Sequence, residues 1–219
     1  MSKELFENIR LISLLIVGVP FIVALFRFKT LNKTQAILMV LLSIIIIVEI
    51  VSLLFWYKKV NNLPIYHVYT VVEFVIISKI YAVELKSMFS KSFFIILILL
   101  FGGFAVCNTV FFQDIYTFNS NAITISGMII IFFCLSYFYS LLKEVKYNAL
   151  EINPMFWINS GFLIYFSSNL ILFFINNYMF KDGASASSYL VWGLHAIMNI
   201  VLNIFYTIAL WVNPKKPLH

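Results

Sequence analysis

The sequence predicts an all-α integral membrane protein, a seven-transmembrane helical bundle with its N-terminus outside and its C-terminus in the cytoplasm. Three observations support this prediction. The 219-residue chain is 63% hydrophobic and only 11% charged, with a mean hydropathy of +0.99. Its apolar residues form long continuous runs, and its basic residues concentrate in alternate loops. A soluble fold of this length could not bury so much apolar surface, so we expect a lipid bilayer as its surroundings.

Seven apolar runs are long enough, or nearly so, to cross a hydrocarbon core that needs about 20 helical residues. No alternating run suits a lipid-exposed barrel strand, and a spanning segment must satisfy its own backbone groups, so each run is predicted to be an α-helix. The predicted spans, all in one domain covering 1–219, are 11–26, 35–57, 64–82, 93–112, 122–142, 155–178 and 188–212.

The first span is short and contains Pro20. It could be mistaken for a secretory signal, but the segment before it has two basic and two acidic residues, and no A-x-A-like cleavage site follows. We therefore expect it to be retained as a transmembrane helix. Without it, six helices would remain and the N-terminus would lie inside, while the same loops would still face the cytoplasm.

The basic residues set the predicted orientation, because cytoplasmic loops carry an excess of Lys and Arg. Of the 15 basic residues, nine lie on the side that follows the odd-numbered spans, five lie on the other side, and Lys79 lies inside the third span. The nine are Arg27, Lys29, Lys33, Lys86, Lys91, Lys143, Lys146, Lys215 and Lys216. The net charge of +6 and the pI near 9.2 thus reflect membrane orientation, and no nucleic-acid partner is expected.

Short loops predict that successive helices are antiparallel neighbours. We expect no extramembrane output domain, so a signal would have to pass through a separate cytoplasmic or membrane partner. Cys107 and Cys134 lie within apolar spans, where they are expected to behave as small hydrophobic residues rather than as a disulfide framework.

Three ionisable residues lie well inside the predicted spans: Glu49 in the second, Glu73 in the third and His195 in the seventh. Ionisable groups in hydrocarbon are costly and mark candidate functional sites. Counting about 1.5 Å per residue places all three about 10 to 13 Å below the predicted outer surface, and Asn169 of the sixth span at about 13 Å. Four helices are thus predicted to place a polar group in one layer.

Helical periodicity of about 100° per residue predicts which side chains share a face. The predicted faces are Glu49, Ser52 and Trp56; Glu73, Tyr66, Tyr69 and Thr70; Asn169, Tyr165 and Asn176; and Trp192, His195, Asn199, Asn203 and Tyr206. The last set falls within an arc of about 80° and is expected to face the bundle. His67 lies about 120° from Glu73 and is left out of the site, as a candidate for its entrance.

The predicted polar layer, which is also the candidate ligand-binding set, comprises Glu49, Glu73, Asn169, His195, Asn199, Tyr66 and Trp192. Simpler interpretations exist for some members. Asn199 and Asn203 could be interhelical hydrogen-bond partners, and Trp192 could belong to an interfacial aromatic belt. Two carboxylates against at most one imidazolium leave the layer negative, unless a glutamate is protonated or a cation binds.

The preferred functional hypothesis is a membrane sensor or receptor-like module whose outward-facing pocket binds a small molecule or cation. The predicted topology resembles that of seven-helix receptors and sensory modules, an analogy of architecture only. The cofactor stays unknown. Retinal is disfavoured because the seventh span has no Lys and Lys79 is on the third, and haem because His67 and His195 differ in depth and His219 is in the tail.

Two alternatives stay open. In the first, Glu49, Glu73 and His195 bind a divalent metal, and the chain is a metal-dependent intramembrane hydrolase or lipid-modifying enzyme. In the second, the carboxylates form a proton or cation relay in a transporter subunit, with the polar stripe of the seventh span as the path. Few internal Gly and Pro residues argue against the broken-helix sites of many transporters. In each case we expect the protein in the inner or plasma membrane.

Overall fold

All regular structure is helical in the part of the chain that the structure describes. The structure, a computed structural model, describes residues 2–144, 150–179 and 186–212, except for the side chains of residues 144, 175–179 and 186–188. Its α-helices are α1 (Lys3–Leu15), α2 (Gly18–Phe26), α3 (Lys33–Tyr57), α4 (Leu63–Glu84), α5 (Lys91–Phe111), α6 (Ser120–Glu144), α7 (Pro154–Met179) and α8 (Ala186–Trp211). Short 3₁₀ turns, Phe28–Thr30 and Leu150–Ile152, precede α3 and α7.

Seven segments are long and apolar enough to cross a membrane, with α1 and α2 together forming the first. The predicted number of seven apolar helices is thereby confirmed, and these helices support a multi-pass, membrane-embedded protein. The side on which each terminus lies stays a prediction. Four of the basic residues behind that prediction, Lys146, Lys181, Lys215 and Lys216, lie outside the described residues, as does His219.

The helical segment that forms the first span starts at Lys3, eight residues before the predicted start of the span at residue 11. The charged residues that argue against a secretory signal lie in the first two turns of α1, where Ser2 accepts a hydrogen bond from the Leu5 amide (3.2 Å) and Arg10 pairs with Glu7 (2.7 Å). The helix is interrupted after Leu15. Pro20 has no N–H to donate to the carbonyl four residues earlier, and that carbonyl accepts from the Val19 amide instead (3.0 Å).

The two ends of the bundle are built differently. At the N-terminal end, where α1 starts, the Phe6 ring packs against Tyr189 of α8 with centroids 5.3 Å apart. At the C-terminal end, where α8 finishes, Gln35 Nε2 donates to the carbonyls of Ala209 (2.8 Å) and Val212 (3.1 Å). The last carbonyls of a helix have no partner within it, so Gln35 of α3 caps α8.

The last two helices approach each other closely. A Cβ atom added at Gly161 of α7 would lie 2.8 Å from the Cβ atom of Phe205 on α8. A small residue at a helix crossing lets two backbones come together, as is common in membrane bundles. Helix α8 also packs against α1 and α2. The last helix of the chain therefore contacts both the first two helices and α7.

Candidate functional site

A cavity of about 790 Å³ lies between α1, α3, α4, α7 and α8. It extends from Phe6 and Asn62, near the end of the bundle where α1 starts, past the middle of the bundle to Asn203 and Tyr206 of α8. Its volume falls within the range of about 300 to 1,000 Å³ that is usual for small-molecule sites. The helices therefore enclose room for a ligand in the region where the sequence places its polar layer.

Six of the predicted residues line this cavity, and the seventh lies behind them. The six are Glu49, Tyr66, Glu73, Trp192, His195 and Asn199. Asn169 is buried (1% exposed) and reaches the cavity only through its hydrogen bond to His195. Every member of the polar stripe on α8 lines the cavity, as does Tyr165 of α7, while the side chain of Asn176 lies outside the described residues.

His195 is oriented by Asn169 and by the rings around it. Asn169 Nδ2 donates to the Tyr165 carbonyl (2.8 Å), so its Oδ1 is the atom that faces His195 Nδ1 at 3.0 Å. That oxygen can only accept, and Nδ1 must therefore carry a proton. The rings of Trp192 and Phe173 lie at 5.4 Å from the imidazole. In the neutral ring, Nε2 is then an acceptor, and it has no hydrogen-bond partner among the described residues.

His195 could in principle be the counter-ion of Glu49 or Glu73, but the structure does not pair it with either glutamate among the described residues. Its described partner is the amide of Asn169, and the ion pair found in the described part of the chain is Arg10 with Glu7. The reason is geometric. Asn169 lies on α7, the helix that precedes that of His195, and accepts directly from the imidazole, whereas the glutamates lie on α3 and α4.

The two glutamates have different surroundings. Tyr69, one turn before Glu73 on α4, donates its hydroxyl to Glu73 Oε1 at 2.7 Å, and the second carboxylate oxygen has no described partner. Glu49 makes no hydrogen bond or ion pair with any described residue. One turn further along α3, Ser52 Oγ accepts from Asn62 Nδ2 (2.6 Å) and from the Tyr66 hydroxyl (3.0 Å). Both carboxylates are thus left available to something in the cavity.

The floor of the cavity joins α8 to α1, which sequence reasoning missed. Asn199 Nδ2 donates to Ser13 Oγ (2.9 Å) and to the Ser13 carbonyl (3.2 Å), close to the point where α1 ends. Asn203 Nδ2 donates to the Asn199 carbonyl (2.8 Å), but its buried Oδ1 has no partner among the described residues. The signal for Ser13 was a serine inside the first apolar run, a few residues before a helix-breaking proline.

The structure does not bring Glu49, Glu73 and His195 together as metal ligands. Among the described His, Cys, Asp and Glu residues, no group of three or more could hold a metal ion. The three side chains come from three helices, α3, α4 and α8, and hydrogen bonds with Tyr69 and Asn169 orient Glu73 and His195 respectively. The alternative in which Glu49, Glu73 and His195 bind a divalent metal thus finds no support in this arrangement, and it stays a hypothesis.

His67 lies outside the cavity, in keeping with its omission from the site. It is buried (6% exposed), with Nδ1 at 3.0 Å from Thr109 Oγ1 and Nε2 at 3.0 Å from the Thr117 carbonyl. It joins α4, α5 and the loop before α6, and it does not line the entrance.

Comparison of this chain with protein-family models, with curated proteins and with solved structures finds no match.

Proposed function

We propose that this chain is a membrane sensor or receptor-like module that binds a small molecule in the cavity and signals through a separate partner. One observation carries the proposal: polar side chains from α1, α3, α4, α7 and α8 converge on a single cavity of about 790 Å³ inside an apolar bundle. Polar groups are costly at membrane depth and are usually retained there for a task. Binding is the task that this arrangement suits.

The two alternatives have less support. A metal-dependent hydrolase would need its ligands gathered at one point, and the described acidic and histidine side chains are not gathered. A transporter would need a path through the bundle. The cavity instead ends near Asn203 and Tyr206, beyond which Gln35 holds α3 and α8 together at the C-terminal end.

The charge asymmetry of the loops supports an arrangement in which the N-terminal end faces outward from an inner or plasma membrane. The cavity would then bind ligands that come from outside the cell. The signal would reach the cytoplasmic side through the helices that both line the cavity and extend to the C-terminal end, chiefly α3 and α8, which Gln35 connects.

Thermal unfolding of the purified protein, measured against a library of small molecules, tests this function. The variant Ala196→Phe fills the cavity from α8, and Ile197→Phe adds the same ring at the next residue, which is exposed (39%) and does not line it. We expect ligands that raise the melting temperature of the wild type and of Ile197→Phe but not of Ala196→Phe. If every stabilising compound acts equally on both variants, the cavity is not a ligand site.

A further inference from the structure

The charged groups that face the cavity are not balanced within it. Glu49 has no described partner, and Glu73 has one carboxylate oxygen free. Arg10 is the only Lys or Arg among the described residues that line the cavity, and both of its hydrogen bonds go to Glu7 (2.7 and 3.0 Å). The cavity therefore offers two carboxyl groups and no free cation to match them.

A second observation, independent of the carboxyl groups, comes from the floor. Asn203 is 3% exposed, lines the cavity, and has a buried Oδ1 atom with no described partner. Its amide orientation follows from Nδ2, which donates to the Asn199 carbonyl (2.8 Å), so the free atom is the acceptor. A buried acceptor without a donor costs free energy, and a ligand N–H group would supply that donor.

Neutral groups complete the lining. The hydroxyls of Tyr165 and Tyr206 can donate as well as accept, and the indole of Trp192 donates. These groups do not offset the acidic character of the site, because none of them carries positive charge. Aromatic faces near a carboxylate are the usual surroundings of organic cations, which the rings attract through their quadrupoles.

We propose that the cavity binds an organic amine, that is, a small molecule with a protonated amino group on an apolar body. This proposal rests on the proposed function and names the ligand class for it. The ammonium group lies against Glu73 and Glu49, the apolar body lies among the aromatic side chains, and an N–H or O–H group at the far end of a longer ligand reaches Asn203 Oδ1.

Three probes with the same phenyl body separate the head groups: 2-phenylethylamine, 2-phenylethanol and 3-phenylpropanoate. Their affinities are measured by calorimetry on the full chain in phosphatidylcholine nanodiscs, which contain no primary-amine lipid. We expect the amine to bind about tenfold more tightly than the alcohol, since charge-assisted hydrogen bonds are the stronger ones. The carboxylate is expected to bind most weakly, because it meets two groups of its own sign.

The variants Glu73→Gln and Glu49→Gln test which groups make this distinction. Each keeps the size of the side chain, and each is expected to weaken the amine about tenfold while leaving the alcohol nearly unchanged. Glu49→Gln breaks no described hydrogen bond, so it stays informative if Glu73→Gln fails to fold. Glu151→Gln, at an exposed residue outside the cavity, is the control and is expected to change neither affinity.

The failures of the two proposals are distinguishable. The ligand class is overturned if the alcohol binds as tightly as the amine, or if the amine keeps its affinity in both glutamate variants. In either case the proposed function still stands if Ala196→Phe blocks binding. Binding of the carboxylate above the amine overturns the ligand class in the same way. If none of the three probes binds, the ligand class is overturned as well. The proposed function is overturned too only if the library of small molecules also yields no ligand whose binding Ala196→Phe blocks.

Discussion

The lining of the cavity and the end of the bundle at which α8 finishes contain similar polar residues, but some of those in the lining lack the hydrogen-bond partners that those at this end have. Near the C-terminal end, the Tyr81 hydroxyl donates to Asn159 Oδ1 (2.7 Å), and Asn159 Nδ2 donates to the Cys134 carbonyl (3.3 Å). Around the cavity, Asn203 Oδ1 and the carboxylate of Glu49 have no described partners. For these residues, the presence of a hydrogen-bond partner, and not the residue type, distinguishes polar groups that hold helices together from those available for binding.

The same contrast applies to the glutamates and glutamines. Thr34 donates its hydroxyl to Glu84 Oε1, and Gln35 uses its amide both in a capping box with Asn32 and on the end of α8. These side chains tie α3 to α4 and α8. If the cavity is a binding site, changes in the C-terminal half should lower stability, whereas changes in the cavity lining should mainly alter binding.

The largest loss of stability is expected for Asn159→Leu. Asn159 is fully buried, and its removal takes away the acceptor of the Tyr81 hydroxyl in an apolar region. We expect the free energy of unfolding to fall by about 2 kcal/mol. Unfolding in detergent measures the change.

Asn203→Leu is the matched control, because it makes the same substitution at a cavity residue. It removes a hydrogen bond to a helix carbonyl and at the same time removes an unpaired acceptor. We expect a change within about 0.5 kcal/mol. If the two variants lose equal free energy of unfolding, the two regions do not differ in how much their polar side chains contribute to stability.

The next largest effect is expected for Gln35→Leu, with a loss of about 1.5 kcal/mol. The variant leaves the carbonyls of Ala209 and Val212 without their described side-chain donor. Hydrogen exchange locates the effect: amides in the last turn of α8 should exchange faster, while those of α5, to which Gln35 makes no described hydrogen bond, should not change. Uniform acceleration along the chain would contradict a local cap.

A smaller loss, about 1 kcal/mol, is expected for His195→Leu, because it leaves Asn169 Oδ1 buried without a donor. His195→Gln retains a side-chain N–H and should recover part of the loss. If His195→Leu costs no more than Asn203→Leu, the hydrogen bond to Asn169 does not contribute to stability.

How much the sequence could predict depends on the range of the interactions involved. Continuous apolar runs predict the spans, and periodicity along one helix predicts that Trp192, His195, Asn199 and Asn203 share a face. The pairing of His195 with Asn169 depends on the relative depth of two helices, which boundaries uncertain by a few residues cannot fix. Distances between side chains on three separate helices are harder still to predict, and a metal site formed by Glu49, Glu73 and His195 would depend on them.

Contacts far apart in the chain were out of reach for the same reason. The motif Asn32-x-x-Gln35 indicates a capping box at the start of α3. Nothing local indicates that Gln35 also reaches Ala209, which lies 174 residues away. The role of Ser13 likewise depends on α1 lying against α8, and the predicted start at residue 11 left most of α1 outside the first span.

The smallest change in stability is expected for Glu49→Gln. The carboxyl group has no described hydrogen-bond partner, so replacing it with an amide breaks no described hydrogen bond and removes a group that is costly at membrane depth. We expect the free energy of unfolding to stay within about 0.5 kcal/mol of the wild type or to rise. A loss comparable to that of Asn159→Leu would reveal a structural role for Glu49, whereas unchanged stability with weakened amine binding is what a residue kept for binding requires.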